Sequence, residues 1–449
     1  MRKKRNCVVT KGTGVIFGAG SVGRGFIGQI FSMSGLEVVF ADVDTEIITA
    51  LNRDGTYPHF TLSDSSRERR EIGPVRAIYS TDSEAVNAAV LNADIIATSV
   101  GAAVLPRIAP GLAAGLALRM EQGCPPVNIL LCENLYDCAV HMRSYLKQHL
   151  PAEYAARLDA EVGLLETSIG RMIPVITPEL RAIHPAAISV EPYMFLPYDA
   201  AAEVGNMPAI TGLIADTSVP FSFYVNRKLY LFNMGHATCA WLSEILGLKF
   251  VWQAIARPDI YHFVRAAMLE IALALAKHYN TPVAPLIDHV DDLLYRFGNH
   301  ATADTVERVG RDPERKLAAS DRMFGAYRLA VETGMPRRYL AIALAAGLAR
   351  LSRERDAAAR ETCTEGVTCD DKATSSEAKI PASVCAVLRE HMQHPDVSEP
   401  EYERILALTA LLIKSYNANR VSGGSVTDYF PFNELIELIG ADFACSNII

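Results

Sequence analysis

The sequence predicts an α/β fold in which an N-terminal doubly wound sheet, residues 12–218, is followed by a mostly α-helical domain, residues 219–449. Three observations lead to this prediction. A glycine-rich turn at residues 18–23 follows a short apolar run and opens a helical pattern. Apolar runs then alternate with helical patterns, as they do in parallel sheets. Beyond residue 219 the pattern changes to long helical stretches rich in Ala and Leu.

The elements around the glycine-rich turn form a βαβ unit over residues 14–42, which is the length that such a unit needs. Further apolar runs of the kind buried in parallel sheets follow it. A polar patch at residues 63–71 is predicted to be an exposed turn. In order, the predicted elements are a strand at residues 15–17, a helix at 25–33, a strand at 37–42, a helix at 45–51 capped by Asp44 or Thr45, and strands at 75–79, 95–100 and 127–132.

The second half of the chain is predicted to be helical, with the clearest patterns at residues 261–278, 338–351 and 402–416. A polar interval at residues 353–378 has almost no large apolar side chain and mixes charges with Ser, Thr and Ala. Because such a segment has little to bury in a core, we predict a surface loop or a disordered insertion there.

Composition narrows the possible functions. The chain has 449 residues, a formal net charge of -8 and a pI near 5.8, which argues against binding to nucleic acid or to an anionic membrane. Pro106, Arg107 and Pro110 interrupt the apolar segment at residues 95–118, so no membrane-spanning helix is predicted. The basic N-terminus lacks a following apolar stretch. We therefore expect a cytoplasmic protein.

Nine cysteines are scattered along the chain. The closest pairs are separated by about five residues and have no histidine at the spacing of a zinc site. Reduced thiols explain this pattern better than a metal site does. No metal ligands are therefore predicted.

The glycine-rich turn, G-x-G-x-x-G between a strand and a helix, predicts a Rossmann-type domain that binds a dinucleotide. The first glycine makes the tight turn, the second admits a pyrophosphate, and the third lets helix and strand pack closely. Asp42 ends the next strand, where a carboxylate accepts hydrogen bonds from ribose hydroxyls and favours NAD over NADP. A simple cap on the strand end is the alternative role for Asp42. The turn consists of Gly18, Ala19, Gly20, Ser21, Val22 and Gly23.

A second flexible turn, at Gly101, follows the strand predicted for residues 95–100. It either lines the cofactor or is a plain surface turn. Asn134 follows the strand predicted for residues 127–132, at the edge of a parallel sheet where ligands bind. There it can donate a hydrogen bond to a substrate oxygen, and capping of the following helix is the alternative.

The segment VNRKLYLFNMGHA, residues 225–237, carries the candidate base. On an ideal helix, His236 lies about 80° and Asn233 about 140° around the axis from Lys228, so one broad face presents an ammonium, a carboxamide and an imidazole. A lysine can take the proton of an alcohol when burial and the positive end of a helix lower its pKa. Surface charges beside a core histidine are the alternative explanation.

A third candidate segment, residues 304–322, is rich in basic side chains. Such a run usually forms a solvated face with internal ion pairs. Arginines there would suit a substrate that bears a phosphate, because a guanidinium binds phosphate through two parallel hydrogen bonds. The basic residues are Arg308, Arg311, Arg315, Lys316 and Arg322.

Taken together, these segments closely resemble the mannitol dehydrogenase family of polyol-specific long-chain dehydrogenases and reductases. The matching motifs occur in the family's order and span most of the chain. The K-x4-N-x2-H pattern is much more specific than the glycine turn. The motifs are FGAGSVGRGFIG, FADVD, CEN, NRKLYLFNMGHA and DTVERVGRDPERKL.

The resemblance implies a metal-independent, NAD-dependent interconversion of D-mannitol 1-phosphate and D-fructose 6-phosphate. Lys228 would be the general acid and base, Asn134 and Asn233 would hold the reacting oxygen, and His236 would orient the substrate or the lysine. The expected partners are NAD and a small sugar or polyol phosphate, with no nucleic acid and no membrane. A monomer or weak dimer is expected.

The same resemblance implies Arg311 and Arg315 as the candidate phosphate contacts. Two residues depart from the family pattern: Gly170 stands where relatives carry an acid before the arginine, and His300 stands where a proline is usual. Substrate choice is therefore more open than reaction type. A tagaturonate or fructuronate reductase, or a mannitol 2-dehydrogenase, would keep Lys228 and need no phosphate contact. A non-catalytic NAD-binding protein is the alternative from another class.

Overall fold

The computed structural model of the protein describes residues 11–363, 380–421 and 429–440. The chain forms two compact units, and the boundary between them lies between Tyr224 and Val225. The sequence pattern predicts this boundary six residues earlier, after residue 218. The first unit is built on a parallel sheet and the second on helices. The predicted α/β fold class is therefore confirmed.

The strands all lie in the first unit, among the described residues. Those predicted at residues 37–42 and 75–79 are present with the same bounds, whereas the next two end before residues 100 and 132. The strands are β1 Thr13–Phe17, β2 Glu37–Asp42, β3 Tyr57–Ser63, β4 Ser66–Ile72, β5 Val75–Tyr79, β6 Ile95–Thr98, β7 Val127–Leu131, β8 Val162–Glu166, β9 Ile188–Val190, β10 Leu196–Pro197 and β11 Leu213–Ile214.

The main sheet has the strand order β5-β2-β1-β6-β7-β8, and every neighbouring pair is parallel. This is the order of a Rossmann-type fold, in which the direction of winding reverses between β1 and β6. Ligands bind such sheets beyond the carboxyl ends of the strands at this reversal. The loops after β1 and β6 are therefore where this unit can hold a nucleotide.

Helices cover both faces of the main sheet. Val15 and Phe17 on β1 belong to one core and Ile16 to the other, as the alternation of side chains along a strand requires. The Asp44 carboxylate accepts hydrogen bonds from the backbone at the start of α2, so it is the cap of that helix. The helices of this unit are α1 Gly28–Met33, α2 Thr45–Asp54, α3 Ser83–Leu91, α4 Leu105–Glu121, α5 Cys138–His149, α6 Ala152–Glu161 and α7 Pro178–Ile183. Helix α8, Ser222–Arg227, contains the boundary between the first and second units.

A second, three-stranded sheet has the order β4-β3-β9, with β3 and β4 antiparallel. The prediction of an exposed turn over residues 63–71 was wrong, because most of this segment is strand β4. Residues 66–71 are all exposed, so no burial pattern reveals the strand. Backbone pairing with β3 holds it, and the Arg67 guanidinium covers the Phe60 ring at 4.5 Å.

The second unit is helical, and α9 is buried over nearly its whole length. The predicted helices at residues 261–278, 338–351 and 402–416 lie within α11, α16 and α18. The helices are α9 Met234–Ile245, α10 Val251–Ile255, α11 Pro258–Tyr279, α12 Ala284–Phe297, α13 Val306–Gly310, α14 Pro313–Lys316, α15 Phe324–Thr333, α16 Arg338–Cys363, α17 Ala382–His391, α18 Glu399–Val421 and α19 Phe432–Gly440.

The polar interval predicted as a loop or disordered insertion is partly helical. Helix α16 continues through Cys363, since its Ala, Arg and Glu residues favour a helix even without an apolar face. Arg353 also forms an ion pair with the buried Glu244 and lies over the Tyr416 ring at 3.9 Å. The prediction was therefore wrong for residues 353–363, and residues 364–378 lie outside the described residues.

Among the described residues, one helical stretch, Ala102–Glu121, is long and apolar enough to span a membrane, and half of it is buried inside the protein. A core helix of a soluble protein has the same composition. Pro110 lies inside α4, so the helix continues through this proline. The cytoplasmic location and the monomeric or weakly dimeric state remain predictions.

Candidate active site

The glycine turn joins β1 to a helix, and each of its glycines has a different steric environment. Gly18 has φ 101°, and its N–H donates to the Ala41 carbonyl oxygen at 2.9 Å. A Cβ on Gly20 would meet nothing within 4 Å, whereas a Cβ on Gly23 would clash with the Gly18 carbonyl oxygen. Open space at Gly20 and close packing at Gly18 and Gly23 suit a backbone that receives a phosphate group.

Asp42 is attached to this turn by hydrogen bonds. Its Oδ2 accepts from the Ala19 N–H at 2.5 Å, and its Oδ1 accepts from the N–H groups of Val43 and Asp44 at 2.7 and 2.9 Å. Ser21 and Val22 begin the helix beyond the turn. The carboxylate predicted to meet a ribose therefore also fixes the turn predicted to meet the pyrophosphate.

The helix after the turn contains a π-helical segment, Gly23–Ile27, in which hydrogen bonds span five residues instead of four. Two of its carbonyl oxygens receive side-chain donors. The Tyr57 hydroxyl donates to Arg24 at 2.6 Å, and the Arg171 guanidinium donates to Gly25 at 3.0 Å. Arg171 is buried, so the wider helical turn is held in place by donors inside the unit.

The loops after β6 and β7 are joined by Glu133, whose role the sequence analysis missed. Its carboxylate accepts from the Val100 N–H at 2.9 Å and from the Gly101 N–H at 2.8 Å, and burial raises its pKa. Gly101 has φ 90°, which only glycine adopts readily. The available signal was an acidic residue placed directly after a buried strand.

Asn134 is exposed in the loop after β7. Helix α5 begins four positions later, at Cys138, with Asp137 at its cap position. The alternative role of Asn134 as a helix cap is therefore wrong, and its side chain belongs to the carboxyl edge of the sheet.

Lys228 and Asn233 lie in a second π-helical segment, Lys228–Asn233, inside a continuous helix from Ser222 to Ile245. The Met234 N–H donates to the Leu229 carbonyl oxygen, five residues earlier. The angles that an ideal α-helix predicts between Lys228, Asn233 and His236 are therefore wrong. In a π-helical turn the residue five positions later returns to nearly the same face, which brings Asn233 closer to the line of Lys228. Such segments are frequent at functional sites.

The lysine has a lowered pKa, and burial, one of the two predicted causes, is the main one. Its side chain is half-buried, and burial, together with the positive charge of Arg322, lowers the Lys228 pKa to about 8. The predicted contribution of a helix N-terminus is wrong, because Lys228 lies in the interior of the continuous helix. The alternative that Lys228 is a solvated surface charge is also wrong.

His236, eight residues after Lys228, has a fixed ring. The ring stacks on Phe297 with centroids 4.8 Å apart and planes at 11°, and it meets Phe232 edge-on at 5.6 Å. Its Nε2 lies 3.2 Å from Oδ2 of Asp304, a carboxylate that is only 8% exposed. Arg308 forms an ion pair with the other oxygen of the same carboxylate.

The two candidate phosphate contacts are exposed. The Arg311 side chain is 69% exposed and 3.9 Å from Asp312, and the Arg315 side chain is 54% exposed and 3.4 Å from Asp321. These ion pairs are long, so both guanidinium groups can reach another anion. The neighbouring Lys316 is buried and donates to the carbonyl oxygens of Val309 and Arg311, which holds the backbone of residues 309–311.

The two departures from the family pattern have simple structural settings. His300 stacks on Trp252 with ring centroids 3.9 Å apart. A Cβ on Gly170 would meet Tyr193 at 3.5 Å, an ordinary contact, so nothing in the backbone requires glycine there.

The candidate residues are divided between the two units. The glycine turn, Asp42, Gly101 and Asn134 belong to the first, and the lysine, Asn233, His236 and the arginines belong to the second. Within the described ranges, no group of three or more His, Cys, Asp or Glu side chains is arranged to hold a metal ion.

Comparison with known proteins identifies the family. Residues 13–212 match the family model of the mannitol dehydrogenase Rossmann domain, and residues 221–405 match that of the mannitol dehydrogenase C-terminal domain. The chain belongs to the mannitol dehydrogenase family. The oxidoreductase class expected from the resemblance is thereby confirmed.

Individual members of the mannitol dehydrogenase family agree with this assignment. The mannitol-1-phosphate 5-dehydrogenase of Brevibacillus brevis is 33% identical over 75% of this chain and 85% of its own. The enzyme of the same name from Bacillus licheniformis is 35% identical over 71% and 82%. A structure of Pseudomonas fluorescens mannitol 2-dehydrogenase, in a ternary complex with NAD and D-mannitol, has a TM-score of 0.65 at 17% identity and covers 96% of this chain and 94% of its own. The last comparison supports the fold.

Proposed function

We propose that the protein is a mannitol-1-phosphate 5-dehydrogenase, which interconverts D-mannitol 1-phosphate and D-fructose 6-phosphate with NAD and without a metal ion. The observation that carries the proposal is Lys228, a half-buried lysine with a pKa lowered to about 8, in a π-helical turn that also contains Asn233. Two relatives named for this activity, each at least 33% identical, support the choice of substrate.

The first unit offers a place for NAD. Gly20 leaves open space beside the backbone at the start of a helix, and a pyrophosphate would fill it. Asp42 would accept hydrogen bonds from the adenosine ribose and would repel the extra phosphate of NADP. Gly101, held by Glu133, lies on the other side of the point where the sheet changes direction. When bound, the nicotinamide supplies the acceptor for a hydride.

The chain's own groups would handle the proton. Neutral Lys228 would accept the proton of the substrate hydroxyl through Nζ, and its ammonium form would return a proton in the reverse direction. The carboxamides of Asn233 and Asn134 would donate hydrogen bonds to the oxygen as negative charge develops on it. His236 would orient the substrate or the lysine.

The phosphate would be held by Arg311 and Arg315, whose exposed guanidinium groups have only long ion pairs. We expect Arg311→Ala and Arg315→Ala each to lower kcat/KM for D-mannitol 1-phosphate by about tenfold, since each removes one charge-assisted contact. Activity on D-mannitol should change little. Lys277→Ala, which removes one exposed charge from α11, is the matched control. Equal losses on both hexitols would contradict the assignment of these arginines.

The proposal is tested by following NADH formation with D-mannitol 1-phosphate, D-mannitol and D-altronate in parallel. Turnover confined to the phosphorylated substrate would support it. Turnover of D-mannitol or D-altronate alone would favour a mannitol 2-dehydrogenase or a hexuronate reductase. Binding of NADH without turnover of any polyol would favour a non-catalytic protein.

A further inference from the structure

Asp304 is a buried carboxylate that the proposed reaction does not use. Its side chain is 8% exposed, and its Oδ2 lies 3.2 Å from Nε2 of His236. A buried charge is tolerated only when it is paired, and here a histidine and an arginine surround it. His236 is a proposed substrate-orienting group, and a carboxylate beside an imidazole nitrogen favours the tautomer with the proton on that nitrogen.

The backbone of Asp304 is held from both sides. Its carbonyl oxygen accepts from the Val251 N–H at 2.9 Å, and the Val306 N–H donates to the Lys249 carbonyl oxygen at 3.0 Å. The following Thr305 caps helix α13. The carboxylate is therefore attached to a segment whose backbone is anchored by hydrogen bonds to residues 249–251.

The histidine is equally restrained. Stacking on Phe297 and the edge contact with Phe232 fix the plane of the ring. Nε2 lies 3.2 Å from Oδ2 of Asp304, an electrostatic contact without the geometry of a hydrogen bond. Arg308 pairs with the second carboxylate oxygen from the next turn of its own segment, at i+4. This pair occupies Oδ1, so Oδ2 is the carboxylate oxygen that lies beside the imidazole.

We propose that Asp304 is a positioning residue, which keeps a proton on Nε2 of His236. Nδ1 is then the ring nitrogen that is available to the substrate or to Lys228. Arg308 restrains the Asp304 carboxylate. The proposal rests on the proposed function, because it concerns how His236 orients the substrate or the lysine. In its neutral form the ring then accepts a hydrogen bond at Nδ1, and an imidazole with the opposite tautomer would donate one instead.

The tautomer is measured directly by long-range ¹H–¹⁵N NMR correlation of the full chain with ¹⁵N-labelled histidine, at a pH where the ring is neutral. His236→Gln assigns the signals. We expect the wild type to show the proton on Nε2. Asp304→Asn should shift the neutral ring to the Nδ1–H form, because a carboxamide can present a donor to Nε2, and Arg308→Gln should retain the wild-type form.

The kinetic readout uses the same variants. We expect Asp304→Asn to lower kcat by roughly 10- to 100-fold with a smaller change in KM, and Arg308→Gln to have a milder effect. Asp304→Glu, which keeps the charge, should recover part of the rate and the Nε2–H signal. Thermal unfolding establishes that each variant is folded. Should Asp304→Asn not fold, the wild type and Asp304→Glu decide the question.

A wild-type ring with its proton on Nδ1, or an unchanged tautomer in folded Asp304→Asn, would overturn the proposal. So would a changed tautomer with unchanged kcat. Because the NMR signal needs neither substrate nor cofactor, failure of the proposed function would appear as inactivity with the tautomer result intact, and the two failures are distinguishable.

Discussion

Replacing Lys228 with alanine is expected to lower kcat by about 10²- to 10⁴-fold, the range over which a positioned acid or base contributes. The substitution removes the group proposed to take the hydroxyl proton. NADH affinity should remain within about twofold, because the proposed cofactor-binding residues lie in the first unit. Stopped-flow turnover and NADH fluorescence titration measure the two quantities. A variant that keeps wild-type kcat would remove Lys228 from the mechanism.

The pH profile tests the protonation state of the same lysine. Oxidation of the alcohol needs neutral Lys228, so kcat/KM for oxidation should rise with pH and level off above about 8, the value to which burial and Arg322 lower the lysine pKa. Reduction of the ketone needs the ammonium form, so its kcat/KM should fall above the same pH. The profile is evaluated above about pH 7, because the substrate phosphate itself titrates near 6.

Lys316 is the matched control for this profile, since burial and nearby arginines lower its pKa to about 8 as well. Its ammonium donates to the Val309 and Arg311 carbonyl oxygens, so it supports the backbone. Lys316→Met should therefore weaken substrate binding and leave the midpoint of the pH profile in place. A midpoint that disappears in Lys316→Met and persists in Lys228→Arg would mean that Lys316, and not Lys228, is the group that titrates.

The fold was predictable where buried segments are marked by runs or periodic patterns of apolar residues. Strands β2 and β5 are apolar enough to be recognised with correct bounds, and the glycines and Asp42 reveal the nucleotide turn. Strand β4 was missed because its stability comes from pairing with β3, and backbone hydrogen bonds leave no mark in a sequence of exposed charges. The helical end of α16 was missed for the related reason that alanine and arginine favour helix without forming a core.

The candidate site was predictable as a set of residues and less so as a geometry. The spacing of Lys228, Asn233 and His236 identified the helix, but an extra residue in its π-helical turn cannot be deduced from periodicity alone. The structural roles of Glu133 and Asp304 could not be deduced from periodicity either. Their importance comes from the partners that the fold brings to them, a loop amide at Gly101 and an imidazole, over distances in sequence that no local pattern spans.

The glycine turn gives a second large expected effect, because two of its glycines are needed for different reasons. Gly20→Ala adds a methyl group to open space, so we expect no loss of stability. That space is where the pyrophosphate is proposed to approach, so NADH affinity should fall about tenfold, or roughly 1.4 kcal/mol. Gly23→Ala places its methyl group against the Gly18 carbonyl oxygen, and overpacking of this kind costs about 3 kcal/mol or more.

Thermal unfolding and NADH fluorescence titration of the two variants separate binding from folding. The expected pattern is a folded Gly20→Ala protein that binds NADH weakly, and a Gly23→Ala protein with a lowered unfolding midpoint. Gly334→Ala is the control, since Gly334 also has open space around its Cβ position and lies at the end of α15, in the second unit. Its φ of 66° adds some backbone strain, so it should lower stability slightly and leave NADH affinity unchanged. Wild-type affinity in Gly20→Ala would mean that the dinucleotide does not cross the turn at this glycine, and the fit of NAD to the first unit would then rest on Asp42 alone.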